Sequence, residues 1–174
     1  FSVPHNLYIV GTLNTADRSV EALDSALRRR FSFIPIMPAE EKLTKFTDQD
    51  SGKVIDLNKL LGSINKRLKI LRDGDHTIGH AWLWKVNNFD KLRNAFNEKI
   101  IPLLQEYFYN DFEKLGLVLG NSFIEEDFSA TINDFAPFNN VENLRNLYNN
   151  KKVYRIKDFE KWTIEDFVSI YHNH

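Results

Sequence analysis

A strand–helix–strand pattern fills the first 37 residues and constrains the fold more than any other feature of the chain. The apolar run at Leu7–Thr12 is nearly continuous, which is typical of a strand buried on both faces of a parallel sheet. Ser19 can cap a following helix, whose apolar residues recur at helical spacing up to Leu27. Alternation over Phe31–Ile36 predicts a second strand, and Pro35 places it at a sheet edge. These residues predict a βαβ unit with a right-handed crossover.

The pattern becomes helical after Pro38. Two glutamates follow this proline at a predicted helix start. Asp56 is placed to cap a helix that carries a stripe of leucine and isoleucine. Helical spacing returns over Phe89–Tyr107, where Pro102 predicts a kink or two abutting helices.

The segment after Gly120 is rich in asparagine and phenylalanine and has weak periodicity. A short helix in "NNVENLRNLYNNKK" (residues 139–152) and a short strand over "VYRI" are predicted there. Thr163 and Asp166 form a capping-box pattern that predicts a final helix. We therefore predict the end of an α/β sheet domain at residues 1–38 and a mostly α-helical part at residues 39–174.

Composition excludes several classes of protein. The 174 residues carry a net charge of −1 and are 43% hydrophobic, which is enough apolar material for a core and argues against a strongly electrostatic nucleic-acid binder. The chain has no cysteine, so disulfides and cysteine–zinc sites are excluded. It also lacks an apolar run of the ~18 residues that a membrane helix needs. Without an initiator methionine or a signal peptide, the chain is expected to be a piece of a longer protein.

The polar stretch "NTADRS" follows the first predicted strand. Ligands of open α/β sheets bind at the carboxyl ends of the strands, where Asn14, Asp17 and Arg18 are predicted to lie. An amide such as that of Asn14 can hold an attacking water near a phosphate without titrating. Asn, Asp and Ser are also common turn and cap residues, so a plain strand-to-helix turn remains an alternative.

Three consecutive arginines, Arg28, Arg29 and Arg30, end the first predicted helix. Basic residues at this end complement the helix dipole by ~0.3–1 kcal/mol each. Three consecutive helical positions point in different directions, however, so they cannot share one local role. A projecting guanidinium suits a phosphate on a neighbouring subunit, and such an arginine finger is worth ~10³–10⁵ in rate.

The stretch "VPHNLYIVGTLNTADRSVEALDSALRRRFSFIPIMP" resembles the second half of the AAA+ module in the McrB family, the motor subunits of restriction systems that depend on modified cytosine. The family carries Met-Asn-Thr-Ala-Asp-Arg-Ser followed by a helix that ends in Leu-Arg-Arg-Arg-Phe. Leu13 stands where the family usually has Met, which is a volume-conserving difference. The resemblance implies the C-terminal βαβ part of an AAA+ sheet domain, followed by a helical lid.

The same resemblance implies roles for individual residues. Asn14 corresponds to sensor 1, which positions the water or the γ-phosphate. Asp17 and Arg18 match further signature positions and are expected to contact the nucleotide. Arg29 and Arg30 correspond to the trans-acting arginines that enter the next subunit's site, and Arg28 is expected to have a supporting role.

Later segments, "TIGHAWLW" and "EKIIPLLQEYFYNDFEKLGLVLG", are similar to the family's lid. The family pattern Ile-Gly-His-Ser is followed by aromatic residues, and Ala81 replaces the serine. His80 is a candidate to face the nucleotide, although a histidine beside Trp82 and Trp84 is also suited to packing. Residues 121–174 have no match to the family pattern.

Neither a P-loop nor an acidic Walker B strand is present in the chain. The spacing of Gly74 and Gly79 is that of a P-loop, but His80 and Ala81 stand where Lys and Ser or Thr are required. In AAA+ order both motifs precede sensor 1. GTP or ATP with Mg²⁺ is therefore expected in the full-length protein, and no tightly bound nucleotide and no hydrolysis are expected for this chain alone.

The resemblance also implies partners: a homo-oligomeric ring, expected to be a hexamer, an McrC-like nuclease subunit, and DNA reached through other domains, in the cytoplasm and not at a membrane. The alternative is a non-catalytic helical interaction module that docks a nuclease partner or DNA through the aromatic residues of 121–174. No metal site is predicted, because His5 and His76 lack suitably spaced partners and the terminal "HNH" is no nuclease motif.

Overall fold

The computed structural model describes residues 4–13, 29–136 and 142–172, and the chain divides into two units, Phe1–Ile36 and Met37–His174. In the first unit both strand predictions are wrong. Leu7–Thr12 has no regular secondary structure and is exposed, with Val10 93% accessible, and Phe31–Ile36 is likewise irregular and exposed. A strand persists only where a neighbouring strand takes up its backbone N–H and C=O groups, and the described residues form no ladder with Leu7–Thr12. The AAA+ sheet remnant is therefore not seen in this part of the chain.

The second unit begins with a 3₁₀ turn and a short hairpin. Glu40–Lys42 forms the turn, and strands β1 (Lys45–Thr47) and β2 (Val54–Asp56) pair antiparallel, with Phe46 opposite Ile55. Gly52 takes a positive φ of 68° in the connecting loop, which costs glycine little. Alternation over three residues is too short to predict a strand, so the sequence did not reveal this hairpin.

Helix α1 (Leu57–Leu71) begins at the predicted cap. The Asp56 carboxylate accepts a hydrogen bond from the Lys59 amide at 3.1 Å and pairs with the Lys45 ammonium at 3.0 Å. Burial alone would raise the pKa of Asp56, but the hydrogen bond and the lysine outweigh it and hold this pKa below its ordinary value. The predicted cap of α1 is therefore confirmed.

Pro102 marks a change of helix type. Helix α2 (Phe89–Ala95) continues into a π-helical turn (Phe96–Ile100) and then into α3 (Ile101–Tyr107). The Ile101 amide donates to the Phe96 carbonyl, five residues earlier. A proline has no N–H to offer and its ring collides with the carbonyl four residues before it, so a wider turn before Pro102 relieves the conflict. Helix α4 (Phe112–Leu119) follows, and Gly120 ends it with a φ of 93°.

The last third of the chain forms a second hairpin and a final helix. Strand β3 (Ile124–Ser129) pairs antiparallel with β4 (Lys152–Ile156) across a bulge between Glu126 and Phe128. Helix α5 (Glu142–Tyr148) lies in the excursion between these strands, and α6 (Ile164–Ser169) ends the fold. The capping box predicted at α6 is confirmed, because Thr163 and Asp166 bond reciprocally.

Residues beyond the predicted lid helices complete the core of the second unit. Phe96 and Phe123 stack with ring centroids 6.1 Å apart, and Phe167 meets both rings edge-on at 4.8 and 5.1 Å. Trp162 packs against Phe123 at 5.2 Å. These four side chains are among the most buried of the unit. The aromatic residues of the C-terminal segment thus fill the same core as the helices before it.

Arg67 ties the ends of two helices to α1. Its guanidinium donates to the Val118 carbonyl at 2.6 Å, in the last turn of α4, and to the Ile170 carbonyl at 2.7 Å, at the end of α6. Burial lowers the pKa of Arg67. The carbonyls at helix C-termini lack intrahelical donors and carry partial negative charge, so one fork of donors satisfies both ends.

We expect Arg67→Ala to lower the free energy of unfolding of the 174-residue chain by about 2–4 kcal/mol, because two charge-assisted hydrogen bonds are lost. The free energy of unfolding of Arg67→Lys should lie between those of Arg67→Ala and the wild type, since an ammonium lacks the planar fork. Lys66→Ala, at the exposed neighbouring position, is the matched control and should change stability little. Urea denaturation measures all three. An Arg67→Ala chain as stable as the Lys66→Ala control would contradict this role.

Among the residues that the structure describes, no helix has the length and apolar character needed to cross a bilayer.

Candidate functional site

The predicted site residues fall in different parts of the chain. Asn14, Asp17 and Arg18 lie outside the described residues. Arg29 and Arg30 form a turn in the first unit, and both are exposed. His80 belongs to the second unit, so each set is described within its own unit. Exposed guanidinium groups remain available to an anion on another molecule.

His80 opens a 3₁₀ turn, His80–Trp82, directly after Gly79. The Ala39 amide donates to Nδ1 of the half-buried imidazole at 3.1 Å, across 41 positions of sequence. An amide nitrogen only donates, so Nδ1 carries no proton and the neutral ring holds its proton on Nε2. The structure therefore fixes His80 as a potential donor through Nε2.

The imidazole ring of His80 also packs against the indole ring of Trp84. The ring centroids of His80 and Trp84 lie 5.6 Å apart at a tilt of 51°, and Trp84 is 56% exposed. Within the described residues, Nε2 has no hydrogen-bond partner. The predicted packing of His80 against a tryptophan is confirmed, and in the part of the chain that the structure describes only Nδ1 of its two ring nitrogens is hydrogen-bonded, to the Ala39 amide.

Asn65 organises the loop that carries His80. Its side chain is 2% exposed. Its Oδ1 accepts from the Ile78 amide at 2.7 Å, and its Nδ2 donates to the Ile78 carbonyl at 3.0 Å and to the Glu40 carboxylate at 2.8 Å. Sequence reasoning missed Asn65, although a polar residue within the apolar stripe of α1 was a usable signal, because a buried amide requires such partners.

A second histidine closes the end of α1. His76 Nδ1 lies 2.7 Å from Asp73 Oδ1, and its Nε2 lies 3.2 Å from an Arg72 guanidinium nitrogen. The hydrogen bond with His76 lowers the pKa of the exposed Asp73. Tyr107 meets the imidazole edge-on at 4.9 Å. Both ring nitrogens are thus engaged, which suits a packing role at the helix end.

The arrangement around His80 can donate a hydrogen bond beside an exposed aromatic face. Such a group suits an oxygen acceptor on a ligand that also offers a flat ring. In the described part of the chain, no three histidine or carboxylate side chains are placed to hold a metal ion.

Comparisons with known proteins match this region. Residues 56–116 match the family model of the McrB alpha-helical lid domain. The chain is 36% identical over 129 residues to the Type IV methyl-directed restriction enzyme EcoKMcrB subunit of Escherichia coli (strain K12), a match that covers 64% of this chain and 27% of that protein. It is 29% identical over 144 residues to the Type II restriction enzyme BsuMI component YdiS of Bacillus subtilis (strain 168), a match that covers 77% of this chain and 41% of that protein.

The chain thus spans well under half the length of the curated relatives that it matches. The matched segment 56–116 includes helix α1, the His80 turn, the π-helical turn and most of α4. The chain is therefore similar to McrB proteins, and residues 56–116, within its second unit, match the McrB alpha-helical lid domain.

Proposed function

We propose that this chain is the C-terminal part of the AAA+ module of an McrB-like GTPase or ATPase that powers a modification-dependent DNA restriction complex. The supporting observation is the order of its parts: "LNTADRS", then "LRRRF", then a lid that matches the McrB family model. Both relatives are named as restriction enzyme components, which supports the restriction role.

In this proposal the residues of the chain act on a nucleotide held elsewhere. Asn14 orients the attacking water or the γ-phosphate, and Asp17 and Arg18 contact the nucleotide. Arg29 and Arg30 reach the site of the neighbouring subunit, a role that their exposure supports. His80 faces the nucleotide from the lid.

The residues present do not by themselves fit a nucleotide with Mg²⁺. The 174 residues contain no Gly-x-x-x-x-Gly-Lys-[Ser/Thr] to cradle phosphates, and the described residues offer no carboxylate cluster for the metal. The chain instead offers an amide, guanidinium groups and a fixed imidazole donor. We infer that the cradle and the metal ligands lie on other sequence of the full-length protein.

The proposed partners follow from this division of roles. A trans-acting arginine requires a neighbouring copy, so the full-length protein forms a ring, proposed to be a hexamer. An McrC-like nuclease subunit is proposed to cut the DNA. Other domains of the full-length protein are proposed to contact the DNA, and the complex is proposed to act in the cytoplasm.

Calorimetric titration with GTP and with ATP in the presence of Mg²⁺ tests the proposal. We expect the full-length protein to bind one of these nucleotides with micromolar affinity and the 174-residue chain to bind neither. The comparison of GTP with ATP also identifies the substrate. Micromolar binding by the isolated chain would contradict an absent cradle, and no binding by the full-length protein would contradict the nucleotide hydrolase itself.

A docking role for the C-terminal segment is the second candidate. Four apolar side chains on or beside the β3–β4 excursion are solvent-exposed: Phe128, Ile132, Leu147 and Tyr148. Contiguous patches of exposed apolar side chains are typical of protein interaction sites, and the turn at Ile132–Asp134 contacts helix α5, which carries Leu147 and Tyr148. This candidate concerns the excursion alone, since Phe123, Trp162 and Phe167 are buried in the core.

A further inference from the structure

Residues 37–43 form a segment, here called the strap, that links the two units in sequence and is held on the lid at two points. The Ala39 amide is bonded to His80, and the Glu40 carboxylate is bonded to Asn65. At its far end, Leu43 is buried in the core of the second unit. The strap is thus fixed against the same loop that carries His80.

Asn65 anchors this loop through hydrogen bonds. It satisfies both the N–H and the C=O of Ile78, two residues before His80. Because this amide is buried and fully bonded, moving the loop would leave polar groups without partners. The His80 backbone is therefore anchored by Asn65, and its ring is anchored by the strap.

The two nitrogens of His80 consequently have separate tasks. Nδ1 is occupied by the strap amide, which leaves the proton on Nε2. Nε2 has no partner among the described residues, and the ring lies beside the exposed Trp84.

We propose that each ring nitrogen of His80 has its own function. Nδ1 accepts the hydrogen bond from the strap and so positions the ring, and Nε2–H donates to an acceptor oxygen of the bound nucleoside triphosphate. This inference rests on the proposed function. It adds that the lid's contact with the nucleotide depends on the position of the strap, because the hydrogen bond from the strap positions the imidazole ring that contacts the nucleotide.

Two amide substitutions separate the tasks, because asparagine places its oxygen near the position of Nδ1 and glutamine places its amide near that of Nε2. In the full-length protein, His80→Asn should keep the strap bond and lose the Nε2 donor. We expect its melting temperature to match the wild type and its affinity for the preferred nucleotide to fall about tenfold.

His80→Gln should show the opposite pattern. It keeps a donor but loses the acceptor for Ala39, so we expect a lower melting temperature and a nucleotide affinity within about threefold of the wild type. His80→Phe removes both functions and should show both losses. Differential scanning calorimetry and nucleotide titration on the same samples give the two readouts.

Nucleotide affinity unchanged in His80→Asn would overturn the Nε2 contact, and a melting temperature unchanged in His80→Gln would overturn the strap bond. Equal losses of both properties in the two variants would reveal a purely structural histidine and also overturn the proposal. If the wild-type full-length protein binds no nucleotide, the proposed function fails. The difference in melting temperature between the two variants then still reports on the strap bond.

Discussion

Arg30→Ala in the full-length protein is expected to lower nucleotide hydrolysis by about 10³–10⁵-fold and to leave nucleotide affinity within a few-fold of the wild type. The reason is that a trans-acting guanidinium stabilises charge that develops only in the transition state. Steady-state hydrolysis and equilibrium titration measure the two effects. Lys69→Ala, which removes an exposed positive charge from the lid, is the control for a general change of charge and should hydrolyse normally.

A mixing experiment distinguishes a trans role from a local one. Asn14 is proposed to act in its own subunit and Arg30 in the next, so Arg30→Ala and Asn14→Ala variants are each expected to be inactive alone. Mixed rings should regain hydrolysis, because some interfaces then combine an intact Asn14 with an intact Arg30. A mixture that stays as inactive as its components would contradict the trans assignment, as would normal hydrolysis by Arg30→Ala.

Deleting residues 121–174 is expected to unfold the lid rather than merely to remove a binding surface. The deleted segment contributes six buried apolar side chains to the core: Phe123, Ile124, Trp162, Ile164, Phe167 and Ile170. Burial of each is worth about 1.5–3 kcal/mol, and their sum is comparable with the entire stability of a domain, about 5–15 kcal/mol. Circular dichroism and thermal melting of the truncated chain measure the loss.

Two point variants supply the matched control for this deletion. Phe167→Ala, at a fully buried position, should cost about 3–5 kcal/mol. Leu147→Ser, at a position that is 77% exposed, should change stability by less than about 0.5 kcal/mol. A cooperatively folded truncated chain that has lost only its partner would contradict the core role and favour the docking module.

Local signals predicted helix starts correctly at Asp56 and Thr163, but the helix predicted after Pro38 is wrong, because only a 3₁₀ turn at Glu40–Lys42 forms there before strand β1. Asp56 and the Thr163–Asp166 pair form caps where the sequence placed them, because a cap depends on a few neighbouring residues and on little else. The change of helix geometry expected at Pro102 also follows from one residue's chemistry. The mostly helical lid was also predicted, because its long apolar stripes at helical spacing are a local signal.

Strands were predicted less well, because a strand depends on a partner that its own residues do not specify. The apolar run Leu7–Thr12 has the composition of a buried strand but is exposed in the described structure. The pair β1–β2 and strand β3 have weak or acidic patterns, "KFT" and "IEEDFS", and nevertheless form ladders. Pairing with the right neighbour decided these cases, and local propensity did not.

The candidate site was predicted only in part for a similar reason. His80 was singled out from its motif, but its tautomer depends on Ala39, which lies 41 positions away. Asn65 was missed because its three hydrogen bonds involve Glu40 and Ile78, which come together only when the strap and the loop pack on α1. Contacts of this kind are set by tertiary structure.

The β3–β4 hairpin also bears on how such a lid can diversify. Ala130 and Lys151 sit side by side where the excursion leaves and rejoins the hairpin, since the Ala130 amide donates to the Lys151 carbonyl at 2.8 Å and the Asn150 amide donates to the Ala130 carbonyl at 2.7 Å. Lengthening a loop whose ends are already closed costs only about 0.6 kcal/mol for each doubling. Insertions or deletions within this excursion are therefore expected to cost the scaffold beneath it little stability.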